Sequence, residues 1–357
     1  MLARRTPGPA VRPIRLMIVD DSTVARAVLG RMVESDGGFE LAAVAGTAEA
    51  AIEALATVAV DVILLDLEMP GAGGLKMLPR ILAAARGARV IIVSNQAEDG
   101  AQVTVSALAL GAADTLPKPG IGRFNGKFSE VLIGRLRALG RADQPTAVRE
   151  TLDGVALRAI GNEAMQALAI GASTGGIHAL GQFFGALPDR IGVPILVTQH
   201  LPAPFMTVFA RQLAVAARRP AVVAEDGMAL VPDVILVAPG DAHLTVENRS
   251  GRPVVRLDRR SVASGCLPSV DPMLTSIAEF YGATGIGVIL SGMGRDGTLG
   301  AARLVAVGGA ILAQNEASCA VWGMPRAVTE AGLACAIMTP DKIARRVASR
   351  AGEAPWK

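Results

Sequence analysis

The sequence predicts an α/β protein with two parallel-sheet domains, and three observations support this prediction. Apolar runs of strand length alternate with helical periodicity in two separate series. A weakly periodic segment rich in Arg, Gly and Asp separates the two series. The length of 357 residues and the 51% hydrophobic content suit two filled cores. The predicted divisions are a flexible tail over 1–14, a first domain over 15–137, a linker over 138–163 and a second domain over 164–350.

The first series contains five short apolar runs, each followed by a helical pattern. These runs are Leu16–Val19, Leu41–Val44, Val60–Leu65, Val90–Val93 and Asp114–Leu116. Five βα units in succession predict a small, doubly wound parallel sheet of five strands, with the flavodoxin-like strand order.

The second series begins after the linker and again alternates strand-like and helical patterns. Its apolar runs are Ala167–Ile170, Ile195–Thr198, Val234–Val237, Ile286–Leu290 and Ala310–Ala313. This alternation predicts a second α/β domain built on a parallel sheet.

Composition and charge exclude several classes of protein. The net charge is +3 and no long basic block occurs, so we expect no nucleic-acid partner. Cys266, Cys319 and Cys335 are too widely spaced for a disulfide framework or a zinc motif, which fits a reducing cytoplasm. The stretch 164–188 lacks acidic and basic residues, but Gly, His and Gln interrupt it. It is therefore expected to be a buried strand–turn–helix, without insertion into a membrane.

Polar residues follow the strands of the first domain at one predicted edge of its sheet. Asp20 and Asp21 end the first strand, and Asp66 ends the third. Three carboxylates at the carboxyl edge of a parallel sheet repel one another, and a hard cation such as Mg²⁺ would relieve that repulsion. Ser94 and Lys118 follow the fourth and fifth strands, where a hydroxyl and an ammonium suit an added phosphoryl group.

A candidate nucleophile opens the second domain. Ser173 lies in the stretch Ile170–Gly176, which reads as a strand end, a glycine turn and a helix start. Such a turn exposes the serine hydroxyl beside backbone N–H groups able to stabilise an oxyanion. We expect Thr174 N–H to be one of these donors. The G-x-S-x-G pattern alone is only moderately specific, so the remaining residues decide its meaning.

Three histidines are the candidates for a base. His178 falls within the helix after Ser173 and is expected to be a helix-face residue, and His243 could lie in a loop or contact substrate. His200 is the best placed, because it ends a predicted strand just before a Pro-rich break.

A carboxylate and a second oxyanion donor follow another predicted strand. Asp296 in Gly292–Gly297 could simply belong to an Asp-Gly turn, but with Ser173 and His200 it completes a possible triad. Met293 N–H, in the same glycine-rich loop, is the second expected oxyanion donor. The chain order Ser, His, Asp differs from that of α/β-hydrolases, so that fold is not predicted. We expect no cofactor in this domain.

The first domain resembles a response-regulator receiver domain. The resemblance implies that Asp66 is the phosphoacceptor and that Asp20, Asp21 and Asp66 hold Mg²⁺ with the Glu68 carbonyl. It further implies that Ser94 is the switch hydroxyl, that Lys118 pairs with the phosphoryl oxygens, and that a histidine kinase is the phosphodonor.

The second domain resembles the catalytic domain of chemotaxis protein-glutamate methylesterases, the CheB family. The matching blocks are Ile170–Gly176, Gln199–Phe205, Val237–His243, Pro268–Leu274, Val288–Gly300 and Gln314–Pro325. The resemblance implies phosphorylation-activated hydrolysis of glutamate methyl esters on the cytoplasmic domains of methylated chemoreceptors, with deamidation of receptor glutamines in some relatives. Ser173, His200 and Asp296 would be nucleophile, base and orienting carboxylate.

Other functions remain open at this stage. The same scaffold could hydrolyse another ester or amide, since a triad does not fix the acyl group. A binding module without catalysis is opposed by the complete Ser, His and Asp set. A transcriptional regulator would rest mainly on the basic cluster Arg345, Arg346 and Arg350, which an exposed helix face explains equally well.

Overall fold

The computed structural model describes residues 12–69, 73–94, 98–118, 126–140, 157–159, 161 and 163–351. Its backbone divides into two compact units, residues 1–94 with 116–144 and residues 95–115 with 145–357. The predicted tail over 1–14 and linker over 138–163 lie largely outside the described residues, and the predicted domain bounds stay predictions. No helix in the described ranges is long and apolar enough to cross a bilayer.

A five-stranded sheet organises the N-terminal part of the chain, in the order β2-β1-β3-β4-β5. Its strands β1 to β5 are Ile14–Val19, Phe39–Ala45, Val62–Asp66, Arg89–Ser94 and Asp114–Pro117. The accompanying helices α1 to α5 are Thr23–Glu34, Ala48–Thr57, Gly74–Ala84, Glu98–Ala109 and Gly126–Gly140. β1 pairs in parallel with β2 and β3, and β3 pairs in parallel with β4. This order confirms the predicted flavodoxin-like sheet.

Local sequence explains why strands and helices alternate here. The central strands carry continuous apolar residues such as Leu16, Ile18 and Leu64, all fully or almost fully buried, as expected when helices cover both faces of a sheet. Ser22 Oγ accepts a hydrogen bond from Ala25 N at 3.2 Å and so begins α1. The polar residues that end or follow these parallel strands therefore lie at the carboxyl edge of the sheet.

A seven-stranded parallel sheet organises the second unit, in the order β14-β13-β12-β6-β7-β9-β8, with a separate antiparallel pair β10-β11. Strands β6 to β14 are Ala167–Ala172, Ile195–Gln199, Ala221–Val223, Ile235–Val237, His243–Arg249, Arg252–Asp258, Gly285–Ile289, Ala310–Gln314 and Ala334–Met338. Helices α6 to α11 are Gly176–Ala186, Ala203–Ala217, Val270–Tyr281, Thr298–Ala306, Met324–Glu330 and Pro340–Ala348. The five predicted strands are confirmed as β6, β7, β9, β12 and β13.

The core of the second unit positions the site. β6 lies between β12 and β7, so the carboxyl ends of these three strands meet at one edge of the sheet. Val270, Met273, Leu274 and Ile277 of α8 are fully buried in the same apolar cluster as residues of β6 and β12. Because α8 is fixed by this packing, its N-terminus has a defined place at that edge.

Four strands of this unit have no counterpart in the prediction, namely β8, β10, β11 and β14. β10 and β11 form a hairpin in which Arg249 pairs with Arg252. The two connecting residues, Ser250 and Gly251, have φ values of +54° and +81°, as a two-residue hairpin turn requires. The Ser-Gly pair between two short apolar alternations was the available sequence signal.

Candidate functional site

Ser173 lies on a tight turn between β6 and α6. Its N–H donates to Ser291 O at 3.0 Å, and its carbonyl accepts from Gly176 N at 2.7 Å. Gly175 has φ +75°, and a Cβ at that position would lie 2.4 Å from the Ala320 Cβ, so only glycine suits this turn. The serine is half-buried. The turn thus holds the hydroxyl at the carboxyl edge of the sheet, as the sequence predicts.

His200 follows β7 directly and is tied to the strand that carries Ser173. The backbone N–H of His200 donates to Ala172 O at 3.1 Å. The ring Nε2 of His200 lies 2.8 Å from Asp296 Oδ2. Because Nε2 faces this carboxylate, Nδ1 is the nitrogen left to act as a base. In the described part of the chain, the Ser173 hydroxyl makes no hydrogen bond. The structure therefore forms the base–carboxylate contact and brings the serine to the same edge.

Asp296 is held by the N-terminus of α8. Ser269 Oγ donates to Asp296 Oδ1 at 2.6 Å, and Val270 N donates to Asp296 Oδ2 at 2.7 Å. Burial alone would raise the pKa of Asp296, but the His200 imidazole, the Ser269 hydroxyl and the Val270 N–H hold it well below its usual range. The positive end of the helix dipole favours the same anion. Asp296 is therefore a fixed negative charge beside the imidazole.

The negative charge of Asp296 affects the pKa of the His200 imidazole. Burial of His200 opposes protonation, but hydrogen bonds to Asp296 and Cys266 outweigh burial and raise the pKa of His200 to about 9. The imidazolium form that a general base passes through is thus stabilised in this pocket.

Asp271 and Asp296 cap each other's helices. Asp296 precedes α9 and binds the N-terminus of α8, while Asp271 in the first turn of α8 accepts from Gly300 N of α9 at 2.8 Å. Burial is the main cause that raises the pKa of Asp271 to about 6, and the nearby Asp296 charge adds to it. This reciprocal pair joins the orienting carboxylate to two helices at once.

The two expected oxyanion donors lie beside the nucleophile. Met293 is in the loop between β12 and α9, where a Cβ on the preceding Gly292 would lie 2.9 Å from the Ser173 Cβ. Gly292 O accepts from Met324 N at 2.8 Å, which fixes this loop. Thr174 is buried. Within the described residues, neither Met293 N–H nor Thr174 N–H has a hydrogen-bond partner, so both are available donors.

Several positioning residues were missed by sequence reasoning. Gln199 Nε2 donates to Ser173 O at 2.9 Å, and Ser291 Oγ donates to Thr174 O at 2.8 Å. His243 is buried, and its Nδ1 accepts from Ser269 N at 2.9 Å, so it supports the loop before α8. The available signal was Ser269 followed by Asp271, a helix-start pattern.

The remaining histidine is separate from this arrangement. His178 is exposed on α6, and its Nε2 lies 3.1 Å from Gln182 Nε2 one turn later. It occupies the helix face that its spacing predicts.

A second cluster of predicted site residues lies at the edge of the five-stranded sheet. Asp20, Asp21 and Asp66 each offer a carboxylate oxygen, and these oxygens lie within 4.8 Å of one another. Lys118 Nζ is 2.6 Å from Asp66 Oδ2 and 3.1 Å from Asp20 Oδ2. Glu68 is exposed, and its N–H donates to Asp66 Oδ1 at 3.0 Å. The predicted carboxylates and lysine thus converge.

Ser94 is the remaining residue predicted at this edge, and only its backbone position can be given. It ends β4, the strand that pairs with β3 beside Asp66. The structure describes its backbone and not its side chain, so its expected role as switch hydroxyl stays a prediction.

The acidic cluster is electrostatically unbalanced. Burial is the largest effect on Asp66 and raises its pKa, while Lys118 and Glu68 N–H act in the opposite direction and the Asp20 charge adds to the rise. An all-oxygen donor set with excess negative charge suits a hard cation of the Mg²⁺ type. The residues present therefore fit the metal expected from the sequence.

Comparison with known proteins covers both sheets. A family model described as CheB methylesterase matches residues 168–347, and one described as response regulator receiver domain matches residues 16–123. The protein-glutamate methylesterase/protein-glutamine glutaminase 2 of Caulobacter vibrioides is 44% identical over 346 residues, covering 95% of this chain and 99% of the relative. The correspondingly named protein 1 of Paramagnetospirillum magneticum is 37% identical over 371 residues, covering 96% and 97%.

A solved structure matches the second unit. The crystal structure of the Thermotoga maritima CheB methylesterase catalytic domain superposes with a TM-score of 0.51 at 35% identity. It covers 52% of this chain and 98% of that domain.

Proposed function

The chain belongs to the CheB methylesterase family, and we propose that it hydrolyses glutamate methyl esters on the cytoplasmic domains of chemoreceptors. The observation that carries this proposal is the convergence of Ser173, His200 and Asp296 at the edge formed by β7, β6 and β12. A nucleophile, a base and a carboxylate that orients the base are the requirements of acyl transfer.

The first half of the reaction acylates the serine. Ser173 Oγ attacks the ester carbonyl carbon while His200 Nδ1 accepts the hydroxyl proton. The oxyanion that forms accepts hydrogen bonds from Met293 N–H and Thr174 N–H, and one such donor contributes about 3 to 4 kcal/mol. When the intermediate collapses, the bond to the methoxy group breaks and His200 returns the proton, so methanol leaves. Ser173 then carries the glutamyl group as an ester.

The second half restores the enzyme. A water molecule attacks the glutamyl-serine ester while His200 accepts its proton. Collapse of the second intermediate returns that proton to Ser173 Oγ and releases the receptor glutamate as a carboxylic acid, which then loses its proton to solvent. Asp296 keeps its charge throughout, because its pKa is held low, and stabilises the imidazolium in both halves.

Phosphorylation of Asp66 is the proposed regulatory step. A carboxylate oxygen of Asp66 attacks the phosphorus of a phosphodonor, such as the phosphohistidine of a kinase, the P–N bond breaks and the kinase imidazole leaves. Lys118 Nζ is close enough to pair with the transferred group. Asp20, Asp21 and Asp66, with the Glu68 carbonyl, would hold Mg²⁺. Bound there, the cation offsets the negative charge of the carboxylates and the phosphoryl oxygens. Ser94 is the proposed switch hydroxyl, and the phosphorylated form is the active hydrolase.

A second activity at the same site is deamidation of receptor glutamines. Both curated relatives are named protein-glutamine glutaminase as well as methylesterase. Attack of Ser173 on an amide differs only in the leaving group, which takes the proton from His200 and departs as ammonia. Ammonia release from a glutamine-bearing receptor fragment measures this activity independently of methanol.

Replacing the nucleophile tests the proposed function. Ser173→Ala should abolish methanol release from a methylated receptor fragment, with unchanged circular dichroism. Ser349→Ala, which alters an exposed serine at the end of α11, is the matched control and should retain activity. Methanol release by Ser173→Ala at the wild-type rate would refute the triad. If the wild-type protein hydrolyses p-nitrophenyl acetate but not the methylated receptor fragment, the protein is instead a hydrolase for another ester.

The regulatory step has a test of its own. Asp66→Asn should keep the basal rate and lose the increase that acetyl phosphate and Mg²⁺ produce in the wild type. An undiminished increase in this variant would exclude Asp66 as the phosphoacceptor.

A further inference from the structure

A free cysteine lies beside the base and its carboxylate. Cys266 is half-buried in the loop that precedes α8. Its Sγ, a ring nitrogen of His200 and an oxygen of Asp296 all lie within 4.8 Å of one another. The thiol contributes to the raised pKa of His200 but takes part in no bond-forming or bond-breaking step of the proposed hydrolysis.

These three groups form a complete donor set for a soft divalent cation. Thiolate sulfur, imidazole nitrogen and carboxylate oxygen are the usual zinc ligands, and three protein ligands leave a fourth position for water. The cysteine spacing along the chain shows no zinc motif, because the ligands come from three loops distant in sequence.

The geometry is close to that of a zinc site. Zinc binds its ligands at about 2.0 to 2.3 Å, so ligand atoms in a tetrahedral site lie about 3.6 Å apart. His200 Nε2 and Asp296 Oδ2 are 2.8 Å apart, and the three groups fall within 4.8 Å. Adjustments of about 1 Å would therefore complete the site.

The carboxylate ligand is already oriented by its neighbours. Ser269 Oγ and Val270 N hold the two oxygens of Asp296 at 2.6 Å and 2.7 Å. Hydrogen bonds of this kind fix metal-ligating side chains and strengthen binding. The half-buried positions of His200 and Cys266 leave the site open to an ion from solvent.

We propose that Cys266, His200 and Asp296 form an inhibitory binding site for Zn²⁺ or a similarly soft divalent cation. Cys266 binds as the thiolate, and its proton passes to solvent. The ion occupies a lone pair of the imidazole and replaces its contact with Asp296, so His200 no longer accepts a proton from Ser173. The inhibitory part of this inference rests on the proposed function, whereas the binding site itself does not.

The two candidate metal sites found among the described residues would select different cations according to hardness. Asp20, Asp21 and Asp66 offer oxygen only, which favours Mg²⁺. The cluster at Cys266 includes sulfur and nitrogen, which favour Zn²⁺ or Co²⁺. Excess Mg²⁺ in an experiment can therefore occupy the first site while leaving the second free.

Direct spectroscopy tests the site without reference to hydrolysis. The full chain, free of affinity tags and kept reduced, is titrated with Co²⁺ in excess Mg²⁺, and the thiolate-to-cobalt charge-transfer absorption is recorded. One Co²⁺ per chain should give this band, and Zn²⁺ should displace it. Cys266→Ser should remove the band and weaken binding by about tenfold or more. Cys335→Ser, a half-buried cysteine on β14, is the matched control and should retain both.

Activity measurements test the inhibitory role separately. Zn²⁺ should lower the wild-type rate relative to its own zinc-free value, and a chelator should restore it, whereas the relative rate of Cys266→Ser should change little. A wild type without the charge-transfer band, or a band that persists in Cys266→Ser, would overturn the site. A bound ion that leaves hydrolysis unchanged would overturn the inhibition. A chain that hydrolyses no receptor ester yet shows the band would reject the proposed function alone.

Discussion

Asp66 and Asp296 are both 2% exposed, and each follows a strand of a parallel sheet, yet their pKa values move in opposite directions. Asp296 accepts hydrogen bonds from a hydroxyl and a helix N–H and faces an imidazole. Asp66 accepts from Lys118 and from Glu68 N–H, and it lies beside a second carboxylate, Asp20. Similar burial therefore accompanies opposite shifts in pKa.

The difference shows that burial raises the pKa of both carboxylates and that their neighbours decide whether this rise persists. Fixed donors from α8 stabilise the anion of Asp296, which suits a permanent partner for an imidazolium. Burial and repulsion from Asp20 disfavour the anion of Asp66, so a bound cation would relieve an existing cost. Asp296 is therefore suited to keep its negative charge during the proposed reaction, whereas Asp66 is suited to bind a cation and to be modified.

Neutralising Asp296 should have the largest effect. Asp296→Asn keeps the shape of the side chain but cannot stabilise the imidazolium, so kcat should fall by about 10⁴-fold. Steady-state methanol release measures this loss. Asp241→Asn, at an exposed aspartate paired with Arg259, is the control and should stay near wild type. A loss below about tenfold would mean that Asp296 does not orient the base.

The pH profile should show the raised pKa of His200. Only neutral imidazole accepts a proton, so the rate should rise about tenfold per pH unit below the midpoint, and the midpoint should lie above the ordinary value of about 6.5.

Stability should move in the opposite direction over the same range. A raised folded-state pKa stabilises the fold fully below the unfolded pKa of His200, and this contribution is lost as pH rises towards about 9. Rates and urea unfolding measured at matched pH values check both trends. A midpoint at or below 6.5 would contradict the effect assigned to Asp296.

Removing one donor to Asp296 should give a smaller change. Ser269→Ala deletes the 2.6 Å hydrogen bond and the N-cap of α8, so kcat should fall about tenfold and stability by about 1 to 2 kcal/mol. Ser276→Ala, at a buried serine of the same helix, should cost stability without lowering kcat of the folded enzyme. Equal kcat values in the two variants would leave Ser269 a purely structural role.

Mg²⁺ should test the Asp66 side of the comparison through stability alone. At a concentration one hundred times its dissociation constant, it should stabilise the first unit by about 2.7 kcal/mol. Differential scanning calorimetry with and without Mg²⁺ measures the shift, which Asp66→Asn should largely remove and Asp296→Asn should retain. An equal shift in the Asp66 variant would place the ion elsewhere.

Much of the fold and the convergence of the candidate site residues were predictable because local patterns determine them. Continuous apolar runs identify buried parallel strands, and the residues that end them necessarily meet at one edge. Ser173 and His200 lie directly after β6 and β7, so strand assignment alone places them together. The short strands β8 and β14 were missed, since runs of three to five residues carry little periodicity.

The supporting residues could not be predicted in the same way. Ser269, His243 and Cys266 reach the site because α8 packs its apolar face into the core of the second unit. Their positions depend on tertiary packing of a loop, which no local spacing encodes. Sequence reasoning treated Cys266 only as one of three scattered cysteines for this reason.

The strand order of the second unit also governs how the growing chain can assemble. β6 ends just before Ser173, the proposed nucleophile, and pairs with β12, which is made roughly 110 residues later at about 5 to 20 residues per second. One edge of this apolar strand thus remains unpaired for about 6 to 22 s during synthesis, and open edges of this kind invite aggregation. During that interval the chain also lacks Asp296, so the proposed triad is complete only after β12 and the residues that follow it have been made.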